Sequence, residues 1–157
     1  MGSFIIRGGK TLKGDIYPQG AKNEALQVIC ATLLTPEKVT IQNIPNIRDV
    51  NKLLDLIKCL GVTVTRESKS TYSFRAENIN FEYLKTPEFT EKAESLRGSV
   101  MIMGPLLARF GKAYIPKPGG DKIGRRRLDI HFQGFDKLGA KFVYNHQSNF
   151  YTIEGAS

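Results

Sequence analysis

Apolar residues recur along the chain with two periods, one typical of helices and one typical of strands. Segment 23–34 is apolar on nearly every side, which predicts a helix surrounded by other elements of the core. Segments 46–60 and 128–138 each carry one apolar face and are each followed directly by a glycine suited to a helix C-terminus. Segment 95–109 is again mostly apolar. The pattern therefore predicts four helices.

Short alternating or β-branched runs lie between the predicted helices. Turn residues border most of these runs, as expected for strands. The last two runs of each half form predicted hairpins. The predicted strands are 4–7, 15–17, 39–41, 62–65, 72–75, 113–115, 141–144 and 150–153.

The order of elements in the first half returns in the second half. Ile44-Pro45 and Ile115-Pro116 lie 71 positions apart, and Leu60-Gly61 and Leu138-Gly139 lie 78 positions apart. The second copy is therefore seven residues longer, and the added residues fall between Pro116 and Leu128. Because insertions in repeated units go to surface loops where function concentrates, this loop is the first place to look for a ligand site.

The composition indicates a globular protein with an anionic partner. Lysine and arginine number 23 against 15 acidic residues, which gives a formal net charge of +8. No apolar run approaches the roughly 18 residues of a membrane helix, and the N-terminus lacks the features of a secretory signal. Cys30 and Cys59 lack metal-ligand or disulfide spacing and are predicted to be reduced core residues. We therefore expect a cytoplasmic protein that neither spans nor binds a membrane.

The long loop has the residues of an oxyanion site. Residues 117–127 contain three glycines, which allow close backbone approach, and three consecutive arginines, which bind phosphate or carboxylate through two hydrogen bonds. Asp121 is a carboxylate among these cations. The alternative interpretation is a solvated basic loop in which Asp121 is a turn residue.

Two predicted helix starts also carry cations. Lys22 and Asn23 open the first buried helix, and Arg97 lies at the equivalent place in the second. A helix N-terminus favours anions, although each residue could equally be a solvated helix-end side chain. His131 and His146 have no second ligand at metal spacing, so structural roles are expected and no metal site is predicted.

Four blocks, in this order, resemble the N-terminal part of the UDP-N-acetylglucosamine enolpyruvyl transferase family. They are Gly20-Ala21-Lys22-Asn23, Leu96-Arg97-Gly98-Ser99, the segment 104–111 and the segment 118–124. The resemblance implies an α/β fold of repeated βαβαββ units, an inside-out α/β barrel, here truncated. It assigns residues 1–21 to strands that pack with a second domain, 22–85 to a first repeat, and 86–157 to a second repeat with the catalytic loop.

The resemblance also implies a role for individual residues. Lys22 and Arg126 match residues that contact phosphoenolpyruvate, and Asp121 stands where most relatives have the cysteine that protonates this substrate. An aspartate can deliver that proton if its pKa is raised toward neutrality. The catalytic residues implied are Asp121, Lys22 and Arg126; the substrate-binding residues implied are Lys22, Asn23, Arg97, Arg126, Arg127, Leu128, Asp129 and Ile130.

The activity implied is transfer of the enolpyruvyl group from phosphoenolpyruvate to UDP-N-acetylglucosamine, without a metal or other cofactor. This reaction belongs to cytoplasmic peptidoglycan precursor synthesis, and through it to cell shape and cell division. The proton-accepting aspartate of the family would lie in a C-terminal part beyond residue 157, so we expect the chain alone to be inactive and to expose an apolar surface that self-association would cover. The alternatives are a shikimate-pathway enolpyruvyl transferase and a basic nucleic-acid-binding module.

Overall fold

The computed structural model describes residues 3–116, 127–145 and 150–155, which form an α/β arrangement. Helices and strands alternate along the chain. The α-helices are α1 (Lys22–Ala31), α2 (Arg48–Cys59), α3 (Pro87–Glu94), α4 (Met103–Phe110) and α5 (Asp129–Lys137). The strands are β1 (Val39–Ile41), β2 (Thr63–Arg66), β3 (Tyr72–Arg75), β4 (Lys112–Pro116), β5 (Lys141–Asn145) and β6 (Phe150–Glu154). Short 3-10 helices cover Thr32–Leu34, Tyr83–Lys85 and Arg97–Ile102.

The strands form two antiparallel sheets with the same topology. In each half, the last strand of the predicted hairpin lies in the middle, giving the orders β1-β3-β2 and β4-β6-β5. Val39 and Val64 both pair with Phe74 in the first sheet, and Ala113 and Phe142 both pair with Ile153 in the second. The central strand of each sheet thus presents a fully buried residue to the core. The shared order agrees with the internal repeat read from the sequence, while the boundaries at residues 21 and 85 stay a prediction.

The helices pack against one another and, together with the 3-10 helices, supply most of the buried apolar side chains. α1 contacts both α2 and the 3-10 helix Arg97–Ile102, so elements of the two halves share one core. Arg109 also joins the halves, because its Nη1 donates to the carbonyl oxygens of Leu33, at 3.1 Å, and Ala76, at 2.7 Å. Both carbonyls belong to the first half, and Arg109 belongs to α4 in the second.

The prediction of two strands at the N-terminus, at 4–7 and 15–17, was wrong. Residues 3–21 form neither helix nor strand, and their large apolar side chains are exposed, with Phe4 at 96% and Ile16 at 92%. A β-like sequence becomes a strand only where another strand can accept its hydrogen bonds. Among the described residues no strand pairs with this segment, so its apolar alternation has nothing to pack against.

The predicted helix over 95–109 is divided in the structure. The chain forms a 3-10 helix over Arg97–Ile102 and becomes α-helical only at Met103. Gly98 lies in the divided part, where glycine is a poor helix former. The pattern also missed α3, which begins at Pro87 with the side chain of Thr86 accepting a hydrogen bond from the backbone N–H of Phe89. No helix in the described ranges is long and apolar enough to cross a membrane.

Candidate active site

Several of the residues singled out in the sequence line one open cleft. The cleft has a volume of about 680 Å³ and lies where α1, α2, the 3-10 helix Arg97–Ile102 and the start of α5 meet. We refer to it as the cationic cleft. It is lined by Lys22, Asn23, Leu26, Gln27, Arg48, Asp49, Lys52, Glu94, Ser95, Leu96, Arg97, Gly98, Val100, Met101, Arg127, Leu128 and His131.

Positive charge predominates in the cationic cleft. Among the described residues that line it, five side chains are lysine or arginine and two are acidic. They come from segments far apart in sequence, since Lys22 opens α1, Arg48 opens α2 and Arg127 precedes α5. Cations on a concave surface attract an anion more strongly than the same charges spread over a convex face.

The first turns of three helices line the cationic cleft. The N-cap residues of α1, α2 and α5 are Ala21, Ile47 and Leu128, and in the described part of the chain no side chain caps these three helices. Their first backbone N–H groups therefore have no intrahelical acceptor. Unpaired N–H groups and the positive end of the helix dipole together favour a bound anion such as phosphate. Helix α3, by contrast, has its Thr86 cap.

Lys22 is oriented by a residue that the sequence did not single out. Its Nζ lies 2.9 Å from Oδ2 of Asp49, which is in the first turn of α2. Both side chains are partly exposed, at 49% and 38%, so this ion pair contributes little to stability but does aim the ammonium group into the cleft. The pairing could not be found from sequence, because the two residues are 27 positions apart on different helices.

The other wall of the cleft depends on a close approach of two helices. A Cβ atom placed on Gly98 would lie 3.1 Å from Cδ1 of Leu26 on α1, so a larger residue would require the Leu26 side chain to shift. Arg97, the neighbour of Gly98, lines the cleft together with Asn23. Lys52 ties α2 to this wall through a 2.9 Å hydrogen bond from its Nζ to the carbonyl oxygen of Ser95.

Only some of the residues predicted around the start of α5 line the cationic cleft. Arg127 and Leu128 line the cleft, and the guanidinium of Arg127 forms an ion pair with the carboxylate of Asp129. Ile130 is 82% exposed and is not among the lining residues. His131, for which the sequence suggested a structural role, lines the cleft from the first turn of α5.

Asp121 and Arg126, the two remaining candidates, lie outside the described residues, as do most of the glycine-rich loop and His146.

Residues 6–157 match the EPSP synthase (3-phosphoshikimate 1-carboxyvinyltransferase) family. The match spans nearly the whole chain, and the chain therefore belongs to this family of carboxyvinyl, or enolpyruvyl, transferases.

Within the family, the chain is similar to UDP-N-acetylglucosamine 1-carboxyvinyltransferases. It is 60% identical over 153 residues to that of Bacteroides thetaiotaomicron and 54% identical over 153 residues to that of Porphyromonas gingivalis. The resemblance stated from the sequence blocks is thus confirmed. Each match covers 98% of this chain and 35% of the relative, so the chain spans about a third of the length of these proteins.

Solved structures confirm the fold class. The enolpyruvyl transferase NikO from Streptomyces tendae superposes with a TM-score of 0.73 at 18% identity, covering 94% of this chain and 31% of that one. EPSP synthase from Acinetobacter baumannii gives a TM-score of 0.62 at 14% identity, covering 94% and 33%. The mixed α/β arrangement with two small sheets is part of the enolpyruvyl transferase fold.

Proposed function

We propose that the chain forms part of the substrate site of an enzyme that transfers the enolpyruvyl group of phosphoenolpyruvate to UDP-N-acetylglucosamine. The observation that carries this proposal is the convergence of cations and three uncapped helix N-termini on one cleft. Both substrates are anions with phosphate groups, which such a cleft can bind. The relatives that are 54–60% identical to this chain over 153 residues have UDP-N-acetylglucosamine in their names, which favours this acceptor over shikimate phosphate.

The reaction adds a sugar hydroxyl oxygen to C2 of phosphoenolpyruvate while C3 gains a proton. The tetrahedral intermediate then loses phosphate from C2 and a proton from C3, which restores the C2=C3 double bond. In the proposed assignment, Lys22 and Arg126 bind the phosphoenolpyruvate anion and stabilise the charge that builds up during addition and elimination. Asp121 delivers the proton to C3, which requires it to be protonated when substrate is bound. The arginines close to it in sequence favour its ionised form, so we expect it to act as an acid only when substrate is bound and water is excluded.

The sugar nucleotide is assigned to the opposite wall. Asn23 and Arg97 would contact the amino sugar and diphosphate, and Arg127, Leu128, Asp129 and Ile130 would border the uridine. The Arg127–Asp129 ion pair supports an ordered backbone at this place, whereas the exposure of Ile130 requires the uridine, the loop or the remaining two thirds of the enzyme to cover it. No cofactor is needed, because side-chain cations supply the charge stabilisation.

The proposal places the enzyme in cytoplasmic peptidoglycan precursor synthesis, and through it in cell shape and division. The base that accepts the sugar hydroxyl proton belongs, on this assignment, to the part of the enzyme that the chain does not span. The apolar side chains exposed on the chain, including Val28, Leu34, Leu138 and Val143, then contact that part or a second copy.

A chimeric enzyme tests the proposal. This chain would replace the 153 matching residues of the Bacteroides thetaiotaomicron relative, which restores the full length while keeping every candidate residue of this chain. Phosphate release is measured with phosphoenolpyruvate and either UDP-N-acetylglucosamine or shikimate 3-phosphate. We expect turnover with the first acceptor only, and a loss of at least 100-fold in Lys22→Met, since a substrate-binding cation is worth several kcal/mol in a closed site.

Two outcomes would contradict the proposal. Turnover with shikimate 3-phosphate would assign the chain to the other branch of the family. Full activity of the Lys22→Met chimera would show that the cationic cleft is not the substrate site. Titration of the unaltered chain with an oligonucleotide addresses the remaining alternative, because a nucleic-acid module would bind it with a steep salt dependence.

A further inference from the structure

A second cluster of reactive side chains lies away from the cationic cleft, where the end of α2 meets α3. Cys59 is the last residue of α2, Glu88 and Lys92 are on α3, and Tyr83 is on the 3-10 helix before it. Nζ of Lys92 lies 3.0 Å from Sγ of Cys59 and 2.7 Å from Oε1 of Glu88. We refer to these four residues as the thiol–lysine cluster. None of them is among the residues that line the cleft.

The ammonium group of Lys92 is held in its charged form beside the sulfur. Its contacts with Cys59 and then with Glu88 raise the pKa of Lys92, and Lys92 in turn lowers the pKa of Glu88. A lysine ammonium 3.0 Å from a cysteine sulfur makes the electropositive surroundings that are typical of reactive cysteines. Cys59 is also partly exposed, as such cysteines are.

The chain contains a second cysteine in the opposite environment. Cys30 is buried in α1 with 1% exposure, and burial raises the pKa of its thiol to about 12. This thiol is protonated at neutral pH and shielded from solvent. The two cysteines of one molecule therefore provide a matched comparison between a thiol in contact with a lysine and a buried thiol.

A tyrosine hydroxyl group lies beside Cys59. Oη of Tyr83 is fully enclosed and makes no well-directed hydrogen bond with any described residue. Burial raises the pKa of Tyr83 to about 12, with the neighbouring Cys59 as the next cause, so the hydroxyl keeps its proton. A buried donor without an acceptor is unfavourable. An oxygen atom added to Sγ of Cys59 would give both this hydroxyl and the Lys92 ammonium an acceptor.

We propose that Cys59 is a redox modification site at which a peroxide forms a sulfenic acid stabilised by Lys92 and Tyr83. The thiolate sulfur attacks one oxygen of hydrogen peroxide, so that an S–O bond forms and the O–O bond breaks. Sulfur loses two electrons to the peroxide, and the hydroxide that leaves takes a proton from solvent to become water. Sulfenic acid is the first and reversible product of cysteine oxidation. Its oxygen, on Cys59 of α2, would accept a hydrogen bond from Lys92 of α3 and so link the two helices.

The test uses the 157-residue chain and hydrogen peroxide, with dimedone to trap sulfenic acid and peptide mass spectrometry to count each cysteine. We expect Cys59 to be labelled at least ten times faster than Cys30, because Cys59 contacts the Lys92 ammonium and is partly exposed, whereas Cys30 is buried. Equal labelling of the two cysteines, or faster labelling of Cys30, would overturn the proposal. This comparison needs no variant, so it does not depend on how a substitution affects folding.

Matched variants assign the effect to the cluster. Lys92→Gln should slow labelling of Cys59 about ten-fold. Lys58→Gln is the control, because it removes the same charge from a residue adjacent to Cys59 in sequence. Nζ of Lys58 pairs with Oδ1 of Asp55, at 3.7 Å. An equal effect of the two variants would show that general electrostatics, and not the Lys92 contact, activates the thiol.

Tyr83→Phe tests the stabilisation of the product. Sulfenic acid should form at the unaltered rate in this variant, because Lys92 is retained, and should be lost several-fold faster when peroxide is removed, because its oxygen has one donor fewer. An unchanged lifetime of the sulfenic acid would exclude the role of Tyr83.

Discussion

The side chain of Arg109 should account for a measurable part of the stability that joins the two halves of the chain. Its Nη1 donates both hydrogens to carbonyl oxygens of the first half, those of Leu33 and Ala76. The guanidinium also lies 4.7 Å from the ring centroid of Phe110. Arg109→Met keeps most of the aliphatic length and removes both hydrogen bonds together with the cation–π contact.

The expected loss follows from the geometry. A hydrogen bond from a charged donor contributes about 1.5–3 kcal/mol. Because Arg109 is only partly buried, the lower end of that range applies to each of its two bonds, which gives about 3 kcal/mol in total. With an m-value of about 2 kcal/mol per molar urea for a chain of this size, the urea midpoint should fall by roughly 1.5 M.

Urea unfolding followed by circular dichroism measures this shift, and Arg75→Met is the matched control. Arg75 forms an ion pair with Glu77 at 2.9 Å, but both side chains are more than half exposed. A surface pair of this kind contributes about 0–1 kcal/mol. If Arg109→Met lowers the midpoint no more than Arg75→Met, the bonds between the halves do not stabilise the chain and the reasoning fails.

Three further predictions concern the site and the cluster. In the full-length chimera, Asp49→Asn should lower kcat/KM about ten-fold because Lys22 loses its orienting partner, whereas Asp55→Asn on the solvent side of the same helix should leave it unchanged. The chimera should resist the epoxide fosfomycin because the Asp121 carboxylate is a weaker nucleophile than a thiolate; Asp121→Cys should restore covalent inactivation, and rapid labelling of the unaltered chimera would contradict this. Because folding raises the pKa of Tyr83 from 10.0 to about 12, its contribution to stability is complete below pH 10 and is lost between pH 10 and 12. Urea midpoints at pH 9 and 11 should therefore fall further for the unaltered chain than for Tyr83→Phe.

Much of the fold could be predicted from local patterns. The predicted helices at 46–60 and 128–138 correspond to α2 and α5, because one apolar face and a following glycine are properties of the segment itself. The strand runs of both hairpins were located to within a residue or two. Where a segment's structure depends on its neighbours, prediction failed. The strands expected at 4–7 and 15–17 are absent from the described chain because no other strand is there to pair with them.

The candidate site was predicted in part for a similar reason. Lys22, Asn23 and Arg97 could be proposed because a cation at a helix start has a local rationale, and the structure places all three in the cationic cleft. Asp49 and Lys52 could not, because their partners, Lys22 and the carbonyl of Ser95, lie 27 and 43 positions away along the chain. No local pattern predicts contacts of that kind.

The sequence by itself determined the composition of the site: its positive charge, its glycines, the aspartate at position 121 and the blocks shared with the enolpyruvyl transferases. These are properties of residue identity, and they persist in an unfolded chain. Tertiary structure alone decided which helix N-termini meet, which carboxylate orients Lys22, and which of two cysteines touches a lysine. Those facts depend on the packing of helices around a shared core, which brings distant segments to within 3 Å and cannot be read from either segment alone.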